Sequence, residues 1–314
     1  MSSHKVGIFP ASGGIGGGTV KHILPRLPPT DLVLIARSPE RLAPAKALGA
    51  EVRQTSYDDD AALKNAFDGI DTLFLISYAS VEHQYRTKRH IVAINAAIQS
   101  GVKYIFYGSL GFAGPPESTQ SVAHVMQAHL DTENYLEECR QNHPGFGYTV
   151  IREGLYSESY PLYTSFYNPK QPRSEIRIPH DGSGAGVAWV KREELGEGTA
   201  ELISRFVKQP KEFAWRNQTV LLSGEKTLTL AETVQILGEI ADSPVQITQV
   251  SDDEFATQSE NPPTFTYHGV DLSKPWATAF EAFRRGEASC VSPLLKELLG
   301  REPEDFKTTV ENSL

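Results

Sequence analysis

Two cysteines in 314 residues, Cys139 and Cys290, are too few and too far apart for a disulfide framework or a cysteine-built zinc site. Long apolar runs are also missing. Nowhere do about 18 apolar residues follow one another, and the opening MSSHKVGIFPASGG holds no apolar leader core. No membrane span or secretory leader is expected, and the cytoplasm is the expected location. Positive charge is in deficit, with 30 Lys and Arg against 39 Asp and Glu, a net charge of −9. Such a chain repels nucleic acid and anionic lipid, so neither is an expected partner. The short basic run of Arg86, Lys88, Arg89 and His90 reads as a solvated helix face. His124 and His129 are poorly spaced for two ligands on one helix and no third ligand is evident, so no metal is expected. The GxSxG signature of a hydrolase is absent.

What is present is a chain with 39% apolar and 22% charged residues, a balance that supports a packed core. In the first half, short apolar runs alternate with helical patterns. Strands are expected at 5–9, 31–36, 51–54, 71–76, 102–107 and 148–151. Helices are expected at 19–24, 39–48, 59–67, 122–141 and around Ile91, Ile94 and Ile98, with Gly101 as C-terminal cap. Runs that are apolar throughout are buried on both faces, as in a parallel sheet. The expected fold is α/β: a Rossmann-type doubly wound parallel sheet with a smaller C-terminal substrate lobe. The boundary falls at 154/155, with the second lobe interleaved with the first. Residues 155–186 have little periodicity and read as a lid or binding loop. Beyond them, helix is expected at 187–206, strand at 220–223 and helix at 229–241. The tail, 252–314, reads as three or four short helices broken at Pro262-Pro263.

The segment from Pro10 to Gly18 follows the first strand and opens a helix, the context in which a glycine loop binds pyrophosphate. Ser12, Gly13, Gly14, Ile15 and Gly16 are the candidate contacts. Gly13 permits close approach of a ligand, Gly16 permits the helix to pack on the strand, and the helix end supplies N–H groups and positive dipole. Pro10 stands where the first glycine of the pattern belongs. The second strand ends at Arg37 with no acid beside it, which points to the 2′-phosphate of NADP(H), with Ser38 or Arg41 assisting. Tyr57, near the adenine edge, reads equally as a stacking ring or a half-buried structural tyrosine.

With these residues in hand, the chain resembles the NmrA-like branch of atypical short-chain dehydrogenase/reductases, and within it the type-2 NAD(P)H:quinone oxidoreductases. The carriers are PASGGIG at 10–16, LIARSPERL at 34–42, HLDTENYL at 129–136 and YTVIREGLYSESY at 148–160, with further agreement along most of the chain. The resemblance implies cofactor contacts from the loop after the fourth strand, around Ser77 and Tyr78, and a substrate pocket walled by the segment holding Tyr156. The chain departs from the pattern at Pro10, at Ser56 in place of an aspartate, and at Glu153 in place of asparagine or proline.

No lysine has a tyrosine four residues before it, so the usual Tyr-x-x-x-Lys proton shuttle is not written here. His129 and Glu133 share a helix face instead. His129 and Tyr156 are the candidate catalytic residues, with His129 expected to titrate near neutrality and donate a proton. Glu133 is expected to anchor its helix, on backbone or on Arg152. The expected function is NADPH-dependent reduction of a quinone or enone-like small molecule. The alternative is a dinucleotide-binding redox sensor acting through a regulatory protein partner without turnover.

Overall fold

The computed structural model describes residues 4–258 and 265–314. The expected helix break at Pro262-Pro263 lies outside them. In chain order the elements are β1 (Val6–Phe9), α1 (Gly14–Ile23), β2 (Leu32–Ala36), α2 (Ala43–Ala47), β3 (Glu51–Gln54), α3 (Asp60–Ala66), β4 (Thr72–Ile76), α4 (His83–Gln99), β5 (Tyr104–Leu110), α5 (His124–Asn142) and β6 (Gly147–Glu153). There follow β7 (Glu175–Ile178), α6 (Arg192–Lys208), β8 (Gln218–Leu222), α7 (Leu230–Ile240), β9 (Gln246–Gln249), α8 (Asp252–Ala256), β10 (Thr266–Tyr267), β11 (Val270–Asp271), α9 (Ser273–Arg284), α10 (Leu294–Leu299) and α11 (Phe306–Ser313).

Among the described residues, seven strands form one sheet in the order β3-β2-β1-β4-β5-β6-β8, every pairing parallel. Successive side chains on a strand point to opposite faces, so each central strand feeds two cores. Leu32 and Leu34 of β2, Phe74 of β4 and Phe106 of β5 pack on one side with α1, α6 and α10. Val33, Ile35, Leu73, Leu75 and Ile105 pack on the other with α3, α4 and α5. Chain order reverses direction between β1 and β4, and the crevice beyond their carboxyl ends is where such sheets bind ligands.

The second half does not stay apart. Its strand β8 extends the main sheet beside β6, and α6 packs on α1. That packing is close because glycines meet: a Cβ on Gly196 would lie 2.7 Å from the backbone carbon of Gly18. The rest of the second half builds a third core around Trp189, Trp276, Phe280 and Phe283. The expected helix at 187–206 begins only at Arg192. Before it, Val187 and Leu228 exchange backbone hydrogen bonds, and Val190 donates to Leu155 O and accepts from Ser157 N–H. Two small sheets escaped the sequence reading. Parallel β7 and β9 are short, and their inward residues Ile176 and Ile178 alternate with Glu175 and Arg177. The antiparallel pair of β10 and β11 has only two residues in each strand. Among the described residues no helix is long and apolar enough to cross a membrane.

One buried ion pair ties helix α5 to strand β6. Arg152 on β6 is 1% exposed and donates to both carboxylate oxygens of Glu133 on α5, at 3.2 and 2.6 Å. It also donates to the carbonyls of Pro115 and Ser118, and Ser109 Oγ donates to Glu133. The expected anchoring role of Glu133 is therefore seen in the structure. Removing one partner of such a pair strands the other charge in a low dielectric. Glu133→Ala should lower stability by about 3–5 kcal/mol in urea unfolding. A loss well under about 1 kcal/mol, the worth of an exposed pair, would show that the two carbonyls suffice for Arg152.

A candidate dinucleotide and substrate cleft

β1 ends at Phe9, a cis bond leads to Pro10, and α1 starts at Gly14. Here the glycines divide their work. A Cβ on Gly16 would lie 2.0 Å from the carbonyl oxygen of Pro10, so only glycine lets α1 start so close to the strand end. A Cβ on Gly13 would project into open space, where only a ligand would meet it. No side chain caps α1, which leaves its first N–H groups to an anion.

This loop borders a cleft of about 710 Å³ at the carboxyl ends of β1, β2, β4, β5 and β6. Ser12, Gly13, Gly14, Ile15, Gly16, Arg37, Ser77, Tyr78, His129 and Tyr156 all line it. The cleft thus brings these ten residues together, while Glu133, on the same helix face as His129, does not line it. Tyr57 lies at its edge as a structural ring: it is buried, its hydroxyl donates to Ile76 O at 2.6 Å, and it packs on Phe9. Ser56 also lines the cleft, and a carboxylate stands two residues on. Asp58 accepts from Tyr85 Oη at 2.7 Å and from Tyr78 Oη at 3.2 Å.

Sequence reasoning missed the arginines. Arg86 and Arg89 are not on a solvated face but buried, and His90 beside them is fully buried. The reason is that α4 is covered on both sides by α3 and α5, so its polar groups must find partners inside. Arg89 donates to the carbonyl of Tyr57 and pairs with Asp60. Arg86 has no such acid. It donates to Val125 O at 3.0 Å, Ser77 Oγ at 2.8 Å and His129 Nε2 at 2.7 Å, and its Nε has no protein partner. Arg192, at the start of α6, lies against the glycine loop, its Cδ 2.9 Å from where a Cβ on Gly14 would be. Its guanidinium is 6.0 Å from the centre of the Tyr156 ring. Nothing in the sequence flags Arg192, because its position depends on α6 crossing α1. Arg37, Arg41, Arg86 and Arg192 all line the cleft, and among the described residues none is ion-paired. Unmatched cations gathered in one cleft of an acidic protein suit a polyanionic ligand.

His129 is held differently from the expectation that it titrates near neutrality. It is buried, its Nε2 accepts from Arg86, and its Nδ1 lies 3.3 Å from Tyr107 Oη. An acceptor at Nε2 requires the proton on Nδ1. Burial, then the Arg86 charge, push its pKa well below the usual histidine range, and the same two causes act on His90. The bond from Arg86 and the direction of the shift both disfavour a proton-donating imidazolium there, against the expectation that His129 titrates near neutrality. His129 remains a cleft residue, and its geometry suits it to hold Arg86 in place.

Nitrogen NMR of the parent protein should show His129 as the neutral Nδ1–H tautomer at pH 7, with no protonation between pH 8 and 5.5. A group whose folded pKa lies below its unfolded value binds fewer protons when folded. Stability from His129 and His90 should therefore be full above about pH 7 and fall as pH drops through the unfolded value near 6.5. A titration of His129 near pH 6.5 would restore it as a proton donor.

Residues 2–266 match the NmrA-like family. The NmrA-like family domain-containing oxidoreductase flvB of Aspergillus flavus is 30% identical over 297 residues, covering 93% of this chain and 89% of that protein. Two solved structures agree along nearly their whole length. The NADPH-dependent quinone oxidoreductase QOR2 from Escherichia coli, complexed with NADPH, superposes with a TM-score of 0.78 at 26% identity, covering 98% of this chain and 99% of that one. The Citrobacter sp. triphenylmethane reductase complexed with NADP(H) superposes with a TM-score of 0.77 at 26% identity, covering 99% and 100%. The glycine loop, the Rossmann strand order and these matches agree, and the chain belongs to the NmrA-like family.

Proposed function

We propose that this protein is an NADPH-dependent oxidoreductase that reduces a quinone or an enone-like small molecule. The observation that carries the reading is the continuity of the cleft. It runs from the glycine loop past Ser77 to an aromatic end walled by Tyr156, Leu162, Tyr163, Tyr267 and Trp276. One end suits a dinucleotide and the other a flat, conjugated molecule laid beside it.

The cradle at Gly13, the uncapped helix and the unpaired arginines fit NADP(H). The N-terminus of α1 and Arg192 would hold the pyrophosphate, and Arg37, Ser38 and Arg41 the 2′-phosphate. When bound, the reduced nicotinamide supplies a hydride. The protein's own part is to orient the acceptor, keep water out and meet the charge that appears on it. Arg86 borders the chamber as a buried cation, and such a group stabilises a developing oxyanion far better than one in water. His129 and Ser77 keep its guanidinium in register. An aromatic end continuous with the cofactor cradle favours a molecule that is turned over, rather than a sensor that reports the cofactor to a partner protein.

The purified protein should oxidise NADPH in the presence of 1,4-benzoquinone or a simple cyclic enone. It should also bind NADPH more tightly than NADH. A charge-assisted pair with phosphate contributes about 1.5–3 kcal/mol, so Arg37→Ala should weaken NADPH binding about tenfold or more and leave NADH binding nearly unchanged. Equal affinities in the parent would overturn the NADPH preference. Tight binding without oxidation by any acceptor would overturn the reductase reading in favour of the sensor.

A further inference from the structure

The reaction proposed above ends with negative charge on an acceptor oxygen, and both ring nitrogens of the buried His129 are already taken up by Arg86 and Tyr107. The chamber holds another candidate. Glu153, the last residue of β6, is 2% exposed and lines the same cleft as His129 and Tyr156. Its Oε2 accepts a hydrogen bond from Tyr156 Oη at 2.8 Å. Its Oε1 is buried with no protein partner. Where β5 passes the carboxyl it presents Gly108, whose missing Cβ would lie 3.3 Å from Oε1. Its neighbour Arg152 is taken up by Glu133, so no arginine of β6 neutralises Glu153.

We propose that Glu153 is the proton donor of the reduction, delivering the proton on its Oε1 to an oxygen of the acceptor, while Tyr156 holds the carboxyl in place through Oε2. The inference rests on the reductase reading. Tyr156 donates to Oε2, so a proton on the carboxyl belongs on Oε1, the oxygen left free. Hydride adds to the conjugated acceptor and its π electrons come to rest on the acceptor oxygen. The Oε1–H bond then breaks, a new O–H bond forms on the acceptor, and Glu153 is left as a carboxylate that still accepts from Tyr156. After product leaves, a proton from solvent restores it.

The protonation state agrees with this role. Burial raises the Glu153 pKa to about 8, against a smaller lowering from the Tyr156 hydrogen bond. The titratable or charged groups around the pair are Tyr156 itself, Tyr163 from the turn at Ser157–Tyr163, and Arg192 from α6. Arg192 acts on Tyr156 rather than on the carboxyl. On the sheet, β5 contributes Gly108 and β8 contributes Leu222, neither charged. Neutral carboxyl groups held this way serve as general acids near neutral pH.

Three variants of the full chain, Glu153→Gln, Glu153→Asp and Tyr156→Phe, test the assignment by single-turnover NADPH oxidation with 1,4-benzoquinone across pH. The parent rate should fall as pH rises through about 8. Glu153→Gln should react about 10²-fold more slowly, with that pH limb gone. Glu153→Asp should recover part of the rate and keep a limb. Tyr156→Phe removes the bond that favours the carboxylate, so its limb should move to higher pH. A readout independent of turnover comes from infrared difference spectra of the cofactor-free protein. A protonated-carboxyl band should be present at pH 7, fade as pH rises through about 8, and be absent in Glu153→Gln. A raised carboxyl pKa also makes the parent lose stability between about pH 4.5 and 8, so Glu153→Gln should gain in melting temperature relative to the parent over that range. Parent turnover combined with an unchanged rate and pH profile in Glu153→Gln would overturn this inference alone. So would a missing carboxyl band at pH 7. A parent that oxidises no NADPH would overturn the reductase reading, and the proton donor with it.

Discussion

The site depends on the approach of two helices that share no stretch of sequence. α1 and α6 meet at Gly18 and Gly196, where a single added carbon would collide with backbone. Without that closeness the start of α6 would stand away from the glycine loop. With it, Arg192 reaches the loop from the second half of the chain, and α6 and β8 complete the cover of a sheet begun in the first half. A short backbone distance thus turns a half-built dinucleotide cradle into one with a cation on each side.

A second constraint is the treatment of buried polar groups around α4 and α5. Arg86, His90, His129 and Tyr107 are all buried and are linked by direct hydrogen bonds. Burial first, and the nearby Arg86 charge second, push both histidines well below the usual histidine range. The network therefore holds one fixed positive charge. Glu153 lines the same chamber, and there desolvation raises its carboxyl pKa to about 8. Burial works against the charged form of both groups, lowering the Arg86 pKa and raising that of Glu153.

Much of this was legible in the chain. The central strands are apolar runs feeding two cores, so their number and parallel direction in the first half could be read from apolar runs alternating with helical patterns, though their order could not. Gly13 and Gly16 declared the loop because they sit between a strand and a helix. Arg37 was readable because it ends β2 with no acid beside it. What stayed hidden depends on distant packing. Arg86 looked like part of a solvated basic run, since a sequence does not show that α3 and α5 cover both flanks of α4. Arg192 carries no local signal at all. Glu153 stood out only as a departure from the family's pattern, and its meaning emerged once Arg152 was seen to be occupied by Glu133. The β7–β9 ladder was missed because two four-residue strands, of which only β7 has a buried face, look like loop when read singly.

The four arginines that face the cleft without carboxylate partners carry a consequence for how the molecule meets its cofactor. The protein as a whole is anionic, so a dinucleotide phosphate is repelled at long range and attracted once near the cleft mouth. Capture should therefore respond to ionic strength in two opposing ways. Salt screens the distant repulsion and the close attraction alike, and the Debye length of about 8 Å at physiological strength favours contacts inside the cleft. Because those cations also repel one another when nothing lies between them, the ligand acts as a counter-ion of the fold as well as a reagent, and the loaded protein is the more stable form.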